Sequence, residues 1–132
     1  MHGKICYLNT DLDLTSTDDL TDLAAELAAQ GVYSLHVTCG EDGLWYATFE
    51  TDRSFEEPEE NIAAMLMAIE SLSPVQGDIW HNCTRRELNI GYDCGYEPWA
   101  FNQSLSSELL GRVSQAGAVL RITLYPIREE TV

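Results

Sequence analysis

The chain has 132 residues, of which 45% are hydrophobic and 22% charged, as is typical of one globular domain spanning residues 1–132. No segment approaches the about 20 consecutive apolar residues of a membrane-spanning helix. The net charge is −15, with −14 carried by residues 1–80 and −1 by residues 81–132. Charge of this sign repels phosphate and anionic lipid, so neither nucleic acid nor a membrane is expected as a partner.

The opening segment, MHGKICYLNTDLDL, lacks the apolar run and cleavage site of a secretory signal, which favours the cytoplasm. A domain of this size does not need disulfides, and that compartment is reducing. The four cysteines are therefore expected as free thiols.

Alternation in KICYLNTDL predicts a first strand over residues 3–9, with Cys6, Leu8 and Leu12 on one side. The apolar stripe of STDDLTDLAAELAAQG predicts a helix that Ser16 or Thr17 caps and Gly31 ends.

VYSLHVTC and LWYATFE are expected to form a hairpin around GEDG. In a regular hairpin Tyr33, Leu35, Val37 and Cys39 face the core and His36 faces away. Cys6, Cys39 and Cys94 then all lie on inward positions, where a thiol behaves as a small apolar group.

The segment EEPEENIAAMLMAIESLSP predicts a helix that begins near Pro58 and stops at Pro74. DIWHNC is interpreted as a short fourth strand and ELNIGYDC as a fifth. After a connection over residues 95–103, a Ser106-capped helix and the strand AVLRITLYP complete the chain. In that strand Leu120, Ile122 and Leu124 are expected to point inward.

These elements predict an α+β fold, a two-layer sandwich with a mixed, mainly antiparallel sheet of about six strands and three helices on one face. The first six elements follow the ferredoxin-like order.

Metal binding is not expected, because no Cys-x-x-Cys pair occurs and alternation sends His36 and Cys39 to opposite faces. No glycine-rich phosphate loop or other cofactor motif occurs either, so no cofactor is expected.

One alternative is a small enzyme or ligand-binding domain. Cys83 lies beside His81 and two arginines, whose charge lowers a thiol pKa. The candidate pocket consists of His81, Cys83, Arg85, Arg86 and Trp99.

A second alternative is a structural homodimer through the sheet face opposite the helices. That face is expected to carry an unusual number of aromatic and polar side chains, namely Tyr7, His36, Tyr46, Thr48, Arg121, Thr123 and Tyr125. The chain is then a monomer or a homodimer depending on whether this face is used.

The hypothesis that the charge favours is a non-enzymatic domain that binds a basic protein partner. The candidate partner-binding residues are Asp18, Asp19, Asp22, Glu41, Asp42, Glu56, Glu57, Glu59, Glu60, Tyr96 and Trp99. Tyr96, Trp99 and Phe101 in the 95–103 loop either fold back as a lid or project as aromatic anchors, and both interpretations stay open.

Several segments resemble a family of small bacterial α+β proteins of unknown function, similar to domains grouped with the immunity proteins of toxin systems. The resemblance spans about residues 3–127 and is carried by EEPEENIAAMLMAIESL, Trp80, Cys83, RRELNIGYDCG, EPWAFN and LRITLYP. It implies an inhibitor-like role and brings no catalytic residues.

Overall fold

A computed structural model describes residues 3–128 of the chain. Within them lie five strands and four helices, in place of the about six strands and three helices expected. The elements are β1 (Cys6–Ser16), α1 (Thr21–Ala29), β2 (Val32–Cys39), β3 (Trp45–Thr51), α2 (Pro58–Glu70), α3 (Pro74–Asn82), β4 (Arg85–Asp93), α4 (Ser107–Gln115) and β5 (Val119–Tyr125).

The strands form one mixed sheet in the order β2-β3-β1-β4-β5. β1 pairs antiparallel with β3 and β4, and β2 pairs antiparallel with β3. β5 joins β4 in parallel after α4, as a crossover connection requires. The first four strands and the helices α1 and α2 have the ferredoxin-like order, with α3 inserted before β4.

Helices cover one face of the sheet, which confirms the two-layer α+β architecture. The core contains Leu12, Leu14, Phe49 and Leu88 from the strands, together with buried side chains of α1, α2 and α4. The helix expected to begin near Pro58 is confirmed as α2, in which Ile62, Met65, Leu66 and Ile69 form a buried stripe.

Glycines end two of the helices, and Gly31 does so as expected. Gly31 and Gly117 both have positive φ, at 85° and 69°, where a side chain would be strained. The Ser106 cap is confirmed by a hydrogen bond that Leu109 N–H donates to Ser106 Oγ (3.1 Å). The first helix begins later than expected, at Thr21, whose N–H donates to Asp19 Oδ1 (2.8 Å), so the Ser16 or Thr17 cap is wrong.

The fourth strand expected at DIWHNC is wrong, because this segment lies in α3. Ser73 caps that helix by accepting from Gln76 N–H (3.4 Å), and Pro74 takes its first position, where proline needs no hydrogen-bond donor. Pro74 therefore begins a helix as well as ending the one before it. The strand expected at ELNIGYDC is present as β4.

Two β-bulges change which side chains face the core. One falls between Tyr7 and Asn9 of β1, and the other between Ser34 and His36 of β2. Each inserts a residue and so reverses the alternation on one side of it. Tyr33 and Leu35 are consequently exposed, whereas Val37 lies opposite the buried Ala47 and His36 faces away from the helices, both as expected.

The expectation of inward cysteines is wrong for Cys6, which the β1 bulge turns away from the helices. Cys39 lies opposite Trp45 on the helix side as expected, but it ends β2 and is not covered. Cys6 and Cys39 are exposed and Cys94 is half-buried, whereas Cys83 is buried. The four thiols are free.

Candidate functional site

The 95–103 connection is fixed to the start of the chain by its backbone. Tyr96 N–H and Glu97 N–H both donate to Gly3 C=O (2.8 and 2.7 Å), and Ile5 N–H donates to Glu97 C=O (2.9 Å). Gly95 permits this contact, because a Cβ there would lie 2.4 Å from the backbone carbon of Lys4. The residues that follow Gly95 are thus presented from a backbone tied to a second segment.

Of the aromatic side chains in this connection, one folds back as a lid and two project as possible anchors. Phe101 folds back onto Tyr92 in an edge contact, with ring centroids 5.4 Å apart. Tyr96 and Trp99 project, with 72% and 99% of their surface exposed. Burying a tryptophan offers a large hydrophobic gain, and tryptophan is enriched among residues that dominate binding energy. Trp99 is therefore the strongest anchor candidate on this surface.

Two open grooves lie at the same end of the sheet as Trp99. A groove of about 510 Å³ is lined by Lys4, Ile5, Glu97, Pro98 and Trp99. A second, of about 410 Å³, is lined by Arg53, Ser54, Phe55, Glu56, Glu57 and Glu60 at the start of α2. Sequence reasoning did not single out Arg53 and Phe55, whose guanidinium and ring stack 4.7 Å apart. The sequence signal for this stacked pair is an arginine and a phenylalanine two residues apart, just before an acidic run.

Three acidic candidates at the start of α2 are free to meet a partner. Glu56, Glu57 and Glu60 are exposed, and no hydrogen bond to their side chains occurs among the described residues. Glu59 differs, because its carboxylate accepts from the hydroxyl (2.6 Å) and the N–H (2.9 Å) of Ser106. These hydrogen bonds lower the pKa of Glu59, and they tie the start of α4 to α2. Glu59 is therefore not counted among the residues that contact a partner.

We use the name "Trp99 surface" for Glu56, Glu57, Glu60, Tyr96 and Trp99. These residues share one end of the sheet because of strand direction. β3 ends at Thr51 just before α2, and the antiparallel pairing of Cys6 with Asp93 puts the end of β4 beside the start of β1. The acidic groups and the aromatic anchors are thus brought to the same end.

The other acidic candidates lie at the opposite end. Ser16 pairs with Trp45, so the start of α1 and the hairpin between β2 and β3 are neighbours there. Seven residues of β3 separate the two ends, or about 20 Å at the rise of a strand. The candidates at this far end are Asp18, Asp19, Asp22, Glu41 and Asp42. The acidic residues expected to form one surface therefore form two.

Two of the far-end carboxylates serve local structure. Asp19 accepts from Thr21 N–H (2.8 Å), and Asp42 accepts from Leu44 N–H (3.0 Å) and Tyr46 hydroxyl (2.5 Å). The hydrogen bonds from Thr21 and Tyr46, respectively, are the main reason that the pKa of each aspartate is lowered. These two carboxylates stabilise the turn and the hairpin that carry them.

The alternative pocket at His81, Cys83, Arg85, Arg86 and Trp99 is not assembled. Trp99 lies at the opposite end of β4 from the two arginines, and His81 is exposed on the last turn of α3. Arg85 and Arg86 are adjacent in β4 and so point to opposite faces. The expectation that these five side chains line one pocket is wrong.

The environment of Cys83 does not suit a nucleophile. Its thiol is buried and contacts Ile79 C=O (3.4 Å), and burial raises the pKa of the thiol. A raised pKa leaves less thiolate at neutral pH. His36 of β2 lies 3.5 Å from Thr48 Oγ1 on the other sheet face, away from this thiol.

Arg86 has a structural role instead. Its Nη1 donates to the carbonyls of Trp80 (3.1 Å), His81 (2.9 Å) and Cys83 (2.8 Å), and its Nε donates to Gly117 C=O (3.0 Å). The carbonyls at a helix end have no partners within the helix. Arg86 therefore closes the end of α3 and fastens it to the turn before β5.

The sheet face opposite the helices carries a polar network. Glu87 accepts from Arg85 (2.8 Å) and Arg121 (3.0 Å), and Thr123 donates to Asn89 (2.7 Å). Thr48 donates to Asp13 (2.7 Å) across β1 and β3. Most of the polar groups on this face are thus paired with one another, which leaves few for a second molecule.

Asp11 is the least favourably placed carboxylate on this face. Burial and the charges of Asp13 and Glu50 raise the pKa of Asp11, although Asn9 Nδ2 donates to it (2.9 Å).

Among residues 3–128, no group of three or more His, Cys, Asp or Glu side chains is arranged to hold a metal ion.

Tyr7 was expected on this face and is not there, because the β1 bulge turns it toward α2. Its hydroxyl donates to Asn61 Oδ1 (2.6 Å) and contacts Thr10 Oγ1 (2.6 Å), and burial raises the pKa of Tyr7 to about 12. Asn61 Oδ1 also accepts from Thr10 N–H (3.0 Å), and its Nδ2 donates to Thr51 Oγ1 (3.0 Å). This buried network fixes α2 on the sheet.

Comparison of the chain with family models, curated proteins and solved structures found no match. None of the helices between residues 3 and 128 combines the length and the hydrophobicity that a membrane crossing requires.

Proposed function

We propose that this protein is a non-enzymatic domain that binds a basic protein partner through the Trp99 surface. The observation that supports it best is the almost complete exposure of Trp99 on a loop whose backbone is tied to residues 3–5. An apolar side chain of this size gains most from being covered, and its fixed backbone lowers the entropy lost on binding. The exposed glutamates at the start of α2 provide the charge that selects a basic partner.

The resemblance to domains grouped with toxin-immunity proteins implies one form of this function, inhibition of a basic toxin. In that form, Trp99 enters a pocket of the toxin, and the glutamates pair with lysine or arginine side chains around it. The high negative charge speeds the encounter of the two proteins.

The test begins with capture of the partner from the native host at low salt, followed by its purification and identification. Two variants then compare the two ends of the sheet with equal changes in charge. One neutralises Glu56, Glu57 and Glu60 as glutamine, and the other neutralises Asp18, Asp22 and Glu41 as asparagine or glutamine. Each variant removes three negative charges at one end.

At about 0.2–1 kcal/mol for each of three exposed charge pairs, the first variant should weaken binding by about threefold to about 150-fold. The second should weaken it by no more than about threefold, since its charges lie about 20 Å away, beyond the Debye length of about 8 Å at physiological salt. Affinity should fall steeply between low and high salt. A partner without a basic surface, or equal losses in the two variants, contradicts the proposal.

A further inference from the structure

Within residues 3–128, no strand or helix covers the sheet edge formed by β5. Edge strands expose unpaired N–H and C=O groups, and proteins commonly guard them with bulges, charges or covering elements. The opposite edge, β2, has such a bulge between Ser34 and His36. β5 pairs in unbroken register with β4 over all seven of its residues. Its single charge, Arg121, is drawn to Glu87 of the neighbouring strand.

The free backbone groups of β5 belong to the residues whose apolar side chains face the helix side. Tyr125 C=O accepts from Cys94 N–H (2.9 Å), so Tyr125 directs its backbone toward β4. Alternation along the strand then turns the N–H and C=O of Leu120, Ile122 and Leu124 outward. Ile122 and Leu124 are 65% and 61% exposed, although they pair with the buried Ile90 and Tyr92.

We infer that this edge binds a second copy of the chain, with the two β5 strands antiparallel about a twofold axis at Ile122. In this register Ile122 pairs with itself, and Leu120 pairs with Leu124. Each such pair exchanges two hydrogen bonds, so the strands gain about six. The result is one continuous ten-stranded sheet across the dimer.

Neighbouring registers are less favourable, which selects this one. Centring the pair on Arg121 sets two arginines directly opposite each other, and like charges in that position destabilise a sheet. Centring it on Thr123 brings Pro126, which has no N–H, opposite Leu120. The register at Ile122 places Arg121 opposite Thr123 and leaves Pro126 outside the five central pairs.

The distribution of charge also favours a second copy at this edge. Residues 81–132 carry a net charge of only −1, and β4 and β5 come from this part of the chain. The hairpin acids Glu41 and Asp42 follow β2, which is four strands and about 19 Å away across the sheet. The strongly acidic surfaces of two copies are therefore kept apart, and salt should strengthen the dimer by screening what repulsion remains. That salt dependence is opposite to the one expected for the basic partner.

The first test is sedimentation velocity of the whole chain from about 1 to about 300 μM, at low and high salt. We expect a monomer–dimer equilibrium that shifts toward dimer as salt rises. Ile122→Glu places two carboxylates face to face and should weaken the dimer at least about tenfold. Val75→Glu is the matched control, because Val75 is equally exposed (67%) but lies on α3, and it should leave the dimer unchanged.

The second test is cross-linking at the twofold axis. Directly paired residues of this kind have Cα atoms about 5.5 Å apart, within the range that a disulfide spans. With Cys6 and Cys39 replaced by serine, Ile122→Cys should form a disulfide-linked dimer on mild oxidation, and Val75→Cys should not. A monomer at every concentration, a dimer that Ile122→Glu leaves intact, or equal cross-linking at both positions overturns the inference.

Discussion

Replacing Arg86 by alanine tests whether the second arginine of the RRELNI segment is structural. The substitution removes the arginine donor from four carbonyl groups, those of Trp80, His81, Cys83 and Gly117. Trp80 C=O keeps a second donor, the N–H of Cys83 (3.2 Å). The contacts to Trp80 and Cys83 are partly buried, whereas water can replace the arginine at the other two. At about 1.5 kcal/mol for each of the two sheltered bonds to a charged donor, the variant should lose about 3 kcal/mol of unfolding free energy.

The assay is urea denaturation followed by circular dichroism, in which a loss of this size moves the midpoint by about 1–3 M. Arg85→Ala is the control, because Arg85 points to the other face and pairs with Glu87 (2.8 Å) while itself largely exposed. Exposed ion pairs contribute about 1 kcal/mol or less, so this variant should change the midpoint little. Equal losses in the two variants would refute the structural role assigned to Arg86.

Three further substitutions or labels test the interior and the open sheet face. Asn61→Ala should cost about 2–4 kcal/mol in urea denaturation, because it leaves Thr10 N–H buried without a partner; a loss below about 1 kcal/mol would contradict the network described. The raised pKa of Asp11 means that its ionised form lowers stability at neutral pH. Asp11→Asn should therefore raise the Tm by about 1–3 °C at pH 7. This advantage should shrink as the pH falls through the folded-state pKa and vanish below the ordinary value of 3.8, whereas a constant difference across this range would refute the assignment. A thiol reagent at pH 7 should modify exposed Cys6 rapidly and Cys83 only slowly, and rapid labelling of Cys83 would reopen the nucleophile interpretation.

Local signals in the sequence were sufficient for several elements of the fold. The signals that predict α2 are Pro58 and the apolar stripe from Ile62 to Ile69, and they all lie inside that helix. Ser106 caps α4 through a hydrogen bond to a residue three positions further on. Gly31 and Gly117 end helices by their own backbone conformation. Each of these features depends on neighbours within about one helical turn, so sequence spacing reveals it.

Features that depend on distant strands were not predictable in the same way. The bulges beside Asn9 and Ser34 reverse side-chain alternation, and the sequence has no glycine at either point to announce them. Pro74 is compatible both with the end of one helix and with the start of the next. Its second role at α3 is apparent only with the Ser73 cap.

The candidate site was predictable residue by residue but not in its arrangement. Trp99 and Glu56 were recognised from residue type and position, and the structure brings them to the same end of the sheet. Asp22 has the same chemistry as Glu56 but lies at the other end, because strand direction separates α1 from α2 at their starts. Glu59 was included by charge alone, although Ser106 occupies its carboxylate.

The most direct measurement of the proposed function is calorimetric titration of the captured basic partner into the wild-type chain and Trp99→Ala. Since Trp99 is almost fully exposed, the substitution should leave the Tm within about 1 °C of wild type. If Trp99 is the anchor, affinity should fall by at least about thirtyfold, corresponding to a loss of about 2 kcal/mol or more. Unchanged affinity in a variant of unchanged Tm would contradict binding through the Trp99 surface.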